Sequence, residues 1–356
     1  MRQTDSGAHM LVLGIETSCD ETAVAVARDD GTILSNAIYS QVARHNPFGG
    51  IVPEIAARAH VEVLPELLHR AIADAGVSWG QIRAVAATRG PGLATSLTIG
   101  LQAAKALSLR LNVPLLGVNH LEAHLYSVLL GQESASIGDH CPVLVLLVSG
   151  GHTALARFDG AGQHALWART VDDAAGEALD KGAKLLGLGY PGGPQLEQAA
   201  KRGNPAAIAF PRGDVRNARR DIRAVHPDLC FSFSGLKTAL LYHLKAHPVQ
   251  ADTAAFADVA ASFQEAVVDT LARQTERALD REDFRALGCA GGVARNARLR
   301  ERLQNLADAR AIPLLAAKPE FCTDNAAMIA ALGAALLARG ARATPLDADI
   351  DPNWSL

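Results

Sequence analysis

Aromatic side chains are scarce in this 356-residue sequence, Phe, Trp and Tyr together making 4% of it. So few rings argue against a surface built to stack single-stranded bases. Cysteine is sparse as well: Cys19, Cys141, Cys230, Cys289 and Cys322 are scattered, odd in number and never in a CxxC pair. That pattern suits a reducing compartment and excludes a disulfide scaffold or a cysteine-type zinc finger. Strong charge of one sign is missing too. With a formal net charge of −3, the chain as a whole is not an electrostatic nucleic-acid binder, and any nucleic acid must be held by a local patch or with a partner's help. The longest apolar run, Val143–Val148, falls far short of a membrane span. Residues 1–9 are polar and lack the apolar stretch of a signal peptide. The expectation is a cytoplasmic protein with no membrane association, residues 1–9 forming a leader before a start at Met10.

What is plentiful is glycine, 31 residues in a chain that is 49% apolar and 20% charged. Such a profile is globular, with many sharp turns or close backbone approaches, and the length fits two domains. One plan occurs twice. Met10–Thr17, Ala23–Ala27 and Thr32–Tyr39 read as three strands, the first ending in a polar turn and the second followed by Asp29-Asp30-Gly31. Val143–Val148, Ala154–Phe158 and His164–Thr170 repeat that order, with Ser149-Gly150-Gly151-His152-Thr153 and Asp159-Gly160-Ala161-Gly162 as turns. Strand Ala84–Ala87, loop Thr88–Gly92 and helix Ala94–Leu109 have a counterpart in Ala286–Ala290, Gly291–Val293 and Ala294–Ala307. Two such halves are an internal duplication.

His120 and His124 stand four apart, and on a helix over Asn119–Leu130 they share one face and can bind one metal. By itself such a pair is more often structural. A third ligand must come from elsewhere, and Asp324, just before the apolar helix Ala326–Ala338, is either that ligand or a helix cap. A metalloprotease is excluded by geometry: Glu122 lies midway between the histidines, roughly 200° around the helix from His120 at about 100° per residue, whereas zincin helices place Glu beside a histidine. Leu147–Thr153 reads as a phosphate-facing loop, in which small residues expose backbone N–H groups to oxyanions. Glu16–Thr22 is its acidic counterpart, suited to a metal or water near phosphates. Asp173–Lys184 reads as a small-residue helix carrying Asp180, Tyr190–Pro194 as a turn, and Cys289–Asn296 as a strand–helix junction with Asn296 available to a polar group. Arg212, Arg216, Arg219, Arg220 and Arg223, and separately Arg44, His45, Arg58 and His60, are either solvated or local phosphate contacts.

Together these stretches resemble the tRNA adenosine threonylcarbamoyltransferase (TsaD) family. The resemblance runs from about Leu11 to Gly340 through Gly14–Thr22, Gly49–Glu54, His120–His124, Leu147–Thr153, Asp172–Lys181, Tyr190–Pro194, Phe231–Thr238, Ala290–Val293 and Phe321–Asn325. It implies an α/β, two-domain actin-like ATPase fold with a nucleotide cleft between the domains. The expected boundaries are 10–137 plus approximately 324–345 for the first domain and 138–323 for the second, with 346–356 a tail. The resemblance also implies that His120, His124 and Asp324 hold one divalent ion, iron or zinc. Leu147, Val148, Ser149, Gly150, Gly151, Asp180, Gly193 and Asn296 would contact the adenine nucleotide of threonylcarbamoyl-AMP, or ATP, ADP or AMP. The implied reaction moves the threonylcarbamoyl group to N6 of a tRNA adenosine. Implied partners are tRNA, a TsaB-like subunit, a TsaE-like ATPase and an upstream threonylcarbamoyl-AMP synthase. Asn119 and Arg295 depart from the family's usual residues. No general base stands out, Asp20 and Glu21 being the candidates. The same fold also houses carbamoyltransferases, small-molecule kinases and non-catalytic partner subunits.

Overall fold

A computed structural model describes residues 9–48, 50–131, 139–213 and 226–356. The chain divides into two compact units, one running to Glu133 and rejoined by Asp324–Leu356, the other Ser134–Thr323.

The first unit begins with an antiparallel meander, β1 (Leu11–Glu16), β2 (Glu21–Arg28) and β3 (Ile33–Ser40). A short helix α1 (Val42–His45) and a long α2 (Pro53–Asp74) follow, then β4 (Ile82–Gly90), α3 (Ala94–Leu111), β5 (Leu115–Asn119) and α4 (His120–Ser127). The second unit repeats the meander as β6 (Val143–Val148), β7 (Thr153–Gly160) and β8 (Gln163–Arg169). Helices α5 (Ala175–Leu185), α6 (Gly192–Ala200), α7 (Ser234–Ala246) and α8 (Ala254–Leu279) precede β9 (Ala286–Ala290), α9 (Ala297–Asp308), β10 (Leu314–Ala316) and α10 (Pro319–Cys322). The chain then returns to the first unit as α11 (Ala326–Ala338).

The strand orders are β3-β2-β1-β4-β5 and β8-β7-β6-β9-β10, one topology twice. In each, the first strand of the meander pairs in parallel with a strand that enters through a helical crossover. β1 and β6 are buried along their whole length, as strands covered on both faces must be. In the first unit α11 supplies one cover. It is apolar around its circumference and buried from Ala326 to Ala334, and it reaches the sheet because Gly14 has no side chain. A Cβ there would stand 2.5 Å from the Ala326 carbonyl oxygen.

Helices α4 and α9 start later than their periodicity suggests, whereas α11 starts at Ala326 as expected. A capping residue precedes α4, α9 and α11, so Asn119, Asn296 and Asn325 lie just outside them, each accepting backbone N–H groups of the first turn. Between β9 and α9 a 3₁₀ turn, Gly292–Arg295, occupies the expected first helical turn. Residues 346–356 lie along the first unit: Lys105 Nζ donates to the Ala348 carbonyl, Arg89 Nε to that of Asp349, and the Arg89 guanidinium sits 5.0 Å from the Trp354 ring centre. Among the described residues no helix is long and apolar enough to cross a membrane.

Candidate metal centre and glycine-rich turn

β5 leads straight into α4, and the cap fixes the join. Asn119 Oδ1 accepts from Leu121 N at 2.9 Å and Glu122 N at 3.2 Å. His120 and His124 then project from one face, their ring centres 4.7 Å apart. The start of α11 brings the third group. Asn325, not Asp324, caps that helix, its Oδ1 accepting from Met328 N at 3.1 Å. Asp324 is thereby free to face α4, with Oδ1 3.1 Å from His124 Nε2 and 3.4 Å from His120 Nε2. One ligand atom from each of the three residues lies within 4.8 Å of the others. Glu122 is buried on the same helix but stands outside this cluster.

The electrostatics suit a cation. Burial alone would depress His120, yet Asp324 and Glu16 hold it well above the ordinary imidazole range. Burial pushes His124 down. Asp324 resists its own burial and stays far below the usual carboxylate range because His120 and His124 face it. Two imidazole nitrogens and a carboxylate oxygen form the donor set favoured by zinc and non-haem iron(II). These residues fit a divalent ion.

Sequence reasoning passed over Glu16 as an individual residue. It ends β1, is fully buried, and its Oε2 accepts from His120 Nδ1 at 3.0 Å. Its one signal in the sequence is that it is the only polar residue of an otherwise aliphatic strand. Glu21, a candidate base, is pushed up to about 10 by burial and then by Asp324 and Asp20. His60 and His45 are not phosphate contacts. His60 is buried between Thr22 Oγ1 and the Cys19 carbonyl, and His45 between Gln41 and Val52 N. Arg44 pairs with Glu62.

In the second unit Leu147 and Val148 are the last residues of β6, with side chains wholly in the core. Only their backbone is available to a ligand. Ser149 closes the turn into β7: its N–H donates to the His152 carbonyl at 2.8 Å, and its Oγ accepts from His152 N at 3.1 Å. The start of α5 docks on this turn through Gly176 N to the Ser149 carbonyl and Ala175 N to Thr153 Oγ1. Gly150 and Gly151 are exposed, and a Cβ on either would meet open space. Asp180, on α5, accepts from Gly192 N at 2.8 Å and Gly193 N at 3.2 Å, binding the start of α6 to α5. Burial pushes its carboxyl up against those two bonds.

Asn296 is not free for a polar ligand in the way the junction suggested. Because α9 begins at Ala297, its Oδ1 caps the helix through Leu299 N at 3.0 Å, and its Nδ2 donates to Gln264 Oε1 at 3.0 Å. Arg212 is likewise engaged, with Asp269 and the Phe210 carbonyl. Arg216, Arg219, Arg220 and Arg223 lie outside the described residues, as does Gly49. Asp172 proves to be a clamp: it accepts from Ser232 Oγ, Phe233 N and both Ser234 N and Oγ at the start of α7.

Known proteins agree with this architecture. Among solved structures, HypF of T. kodakarensis superposes with a TM-score of 0.60 at 16% identity, over 94% of this chain and 48% of HypF. The (R)-2-hydroxyglutaryl-CoA dehydratase component A of Acidaminococcus fermentans gives 0.52 at 15% identity, covering 92% and 97%. Both likenesses speak to the two-domain actin-like fold alone. The model of the TsaD family, tRNA N6-adenosine threonylcarbamoyltransferase, matches residues 32–331. A protein of that name from Trichlorobacter lovleyi is 46% identical over 347 residues, 98% of this chain and 97% of its own length. Another, from Anaeromyxobacter dehalogenans, is 49% identical over 97% of this chain and 99% of itself. A family match over most of the chain, joined to relatives nearly half identical from end to end, makes this chain a member of the tRNA N6-adenosine threonylcarbamoyltransferase family.

Proposed function

We propose that this protein transfers the threonylcarbamoyl group of L-threonylcarbamoyl-AMP to N6 of the adenosine 3′ of the anticodon in tRNAs reading ANN codons. The bond formed joins N6 to the carbamoyl carbon. The bond broken joins that carbon to the phosphate oxygen, which leaves as AMP with the electron pair, while N6 gives up one proton. An exocyclic adenine amine is a poor nucleophile, so the activation resides in the mixed anhydride of the donor.

The convergence of His120, His124 and Asp324 carries this reading, in a chain whose full-length relatives bear the transferase name. These residues would hold one divalent ion, iron or zinc. Such an ion, when bound, supplies Lewis-acid polarisation and orients a carbonyl or phosphoryl oxygen. The rest falls to the chain's own groups. The exposed, side-chain-free backbone of Gly150 and Gly151 suits an anionic group. In this reading the backbone of Leu147–Gly151, with Asp180, Gly193 and Asn296, borders the adenylate, Asp180 and Asn296 acting by holding helix starts in place.

A net charge of −3 leaves tRNA to a local basic patch or to help from partners. The partners proposed are a TsaB-like subunit and a TsaE-like ATPase, with a synthase supplying the donor, all in the cytoplasm. The test combines purified protein, threonylcarbamoyl-AMP and unmodified tRNA, with and without those partners, and reads the nucleosides by mass spectrometry. The expected product is threonylcarbamoyladenosine. Its absence under every combination overturns the proposal.

A further inference from the structure

Glu16 is a carboxylate placed where burial is most costly. It is 0% exposed at the end of a strand whose other residues are aliphatic or glycine. A charge so buried survives only when paired and hydrogen-bonded. Its partners are specific. Oε2 accepts from His120 Nδ1 at 3.0 Å and from Thr88 Oγ1, and Oε1 accepts from Ser18 N. Thr88 lies on β4, the parallel neighbour of β1, so two adjacent strands aim the carboxylate at one ring. With Nδ1 engaged there, the Nε2 edge of His120 is turned toward Asp324. His124 has no such brace: its Nδ1 is buried without a hydrogen-bond partner among the described residues.

We propose that Glu16 is a positioning residue of the metal centre. It fixes the orientation of His120 and the tautomer that leaves Nε2 as a ligand atom, and Thr88 holds Glu16 in turn. Outer carboxylate partners of ligating histidines act in this way, and their loss weakens metal binding by about 10–100-fold. This role rests on reading His120, His124 and Asp324 as a metal centre.

Cobalt(II) is the probe for the test. Its affinity, by competition with a chelator, and its visible d–d spectrum are measured on the full chain for the parent, Glu16→Gln, Thr88→Val and His120→Ala. Glu16→Gln should bind about 10–100-fold more weakly with shifted d–d bands, and Thr88→Val should move the same way by less. A parent that binds no stoichiometric cobalt, or His120→Ala at parent affinity, overturns the metal centre itself. Parent affinity and spectrum in Glu16→Gln, with His120→Ala impaired, overturn the role of Glu16 alone. Should Glu16→Gln not fold, Thr88→Val decides, and a parent-like affinity and spectrum in that variant refute the proposal.

Discussion

At the end of the same strand in the same topology, one unit carries a carboxylate and the other a valine. β1 and β6 are both six residues long, and their last residues, Glu16 and Val148, stand opposite Ala23 and Thr153 in the following strands. Past Glu16 the turn is acidic and backed by two histidines and Asp324. Past Val148 it is Ser-Gly-Gly, with no carboxylate until Asp159. A duplicated scaffold thus carries different side chains at corresponding turns, carboxylates and imidazoles in one and small neutral residues in the other. The strand order is shared, and the side chains differ.

The comparison breaks most completely if the acidic copy loses its shared ligand. Asp324→Ala should lower divalent-metal affinity by at least about 100-fold, measured by chelator competition and elemental analysis, while binding of AMP to the other copy stays at the parent level. Next is the packing behind the glycine turn. In Gly176→Val the new Cβ would stand 2.5 Å from the Ser149 carbonyl oxygen, costing about 1–3 kcal/mol of stability in chemical denaturation. Gly150→Ala, facing open space, should leave stability within about 0.5 kcal/mol yet raise KM for the adenylated donor. Asn296→Ala removes a cap and leaves Gln264 without that partner, a loss of about 1–2 kcal/mol, and removal of urea-resistant amide protection at the start of α9 would report it.

The smallest effect concerns pH. Burial alone would raise the Asp172 carboxyl, but Ser232, Phe233 and Ser234 donate to it and hold it below the usual carboxylate range. Its contribution is therefore present above the unfolded-state value of about 4 and is lost as pH falls through the lower folded-state value. Asp172 is exposed, so solvent weakens the gain. The thermal midpoint of Asp172→Asn should approach that of the parent as pH drops from neutral toward 3. A constant gap between the two would contradict the assignment.

What could be read from the sequence was what is local. Apolar runs and turn residues locate β6 and β9 at their observed ends, and the duplication is visible because both meanders carry the same order of strand and turn. The histidine spacing and the acid before an apolar helix are also local patterns, and the fold brings those three residues together. Glu16 was invisible as a partner because 104 residues separate it from His120, and only the parallel pairing of β1 and β4, with β5 beyond, closes that distance. The cap role of Asn296 was hidden for a different reason. Periodicity finds a helix but not which residue caps it, and the later start of α9 puts Asn296 at the cap position. His45, His60 and Arg212, which the sequence leaves open between solvent and phosphate contact, are buried or paired in the fold.

Single-turnover transfer tests the proposed metal centre most directly. Parent and Asp324→Ala are each given threonylcarbamoyl-AMP and unmodified tRNA with the required partners, and the tRNA nucleosides are quantified by mass spectrometry. The parent should form threonylcarbamoyladenosine, and the variant should bind AMP normally while forming about 100-fold less product or none. Parent-rate transfer by Asp324→Ala would contradict the account.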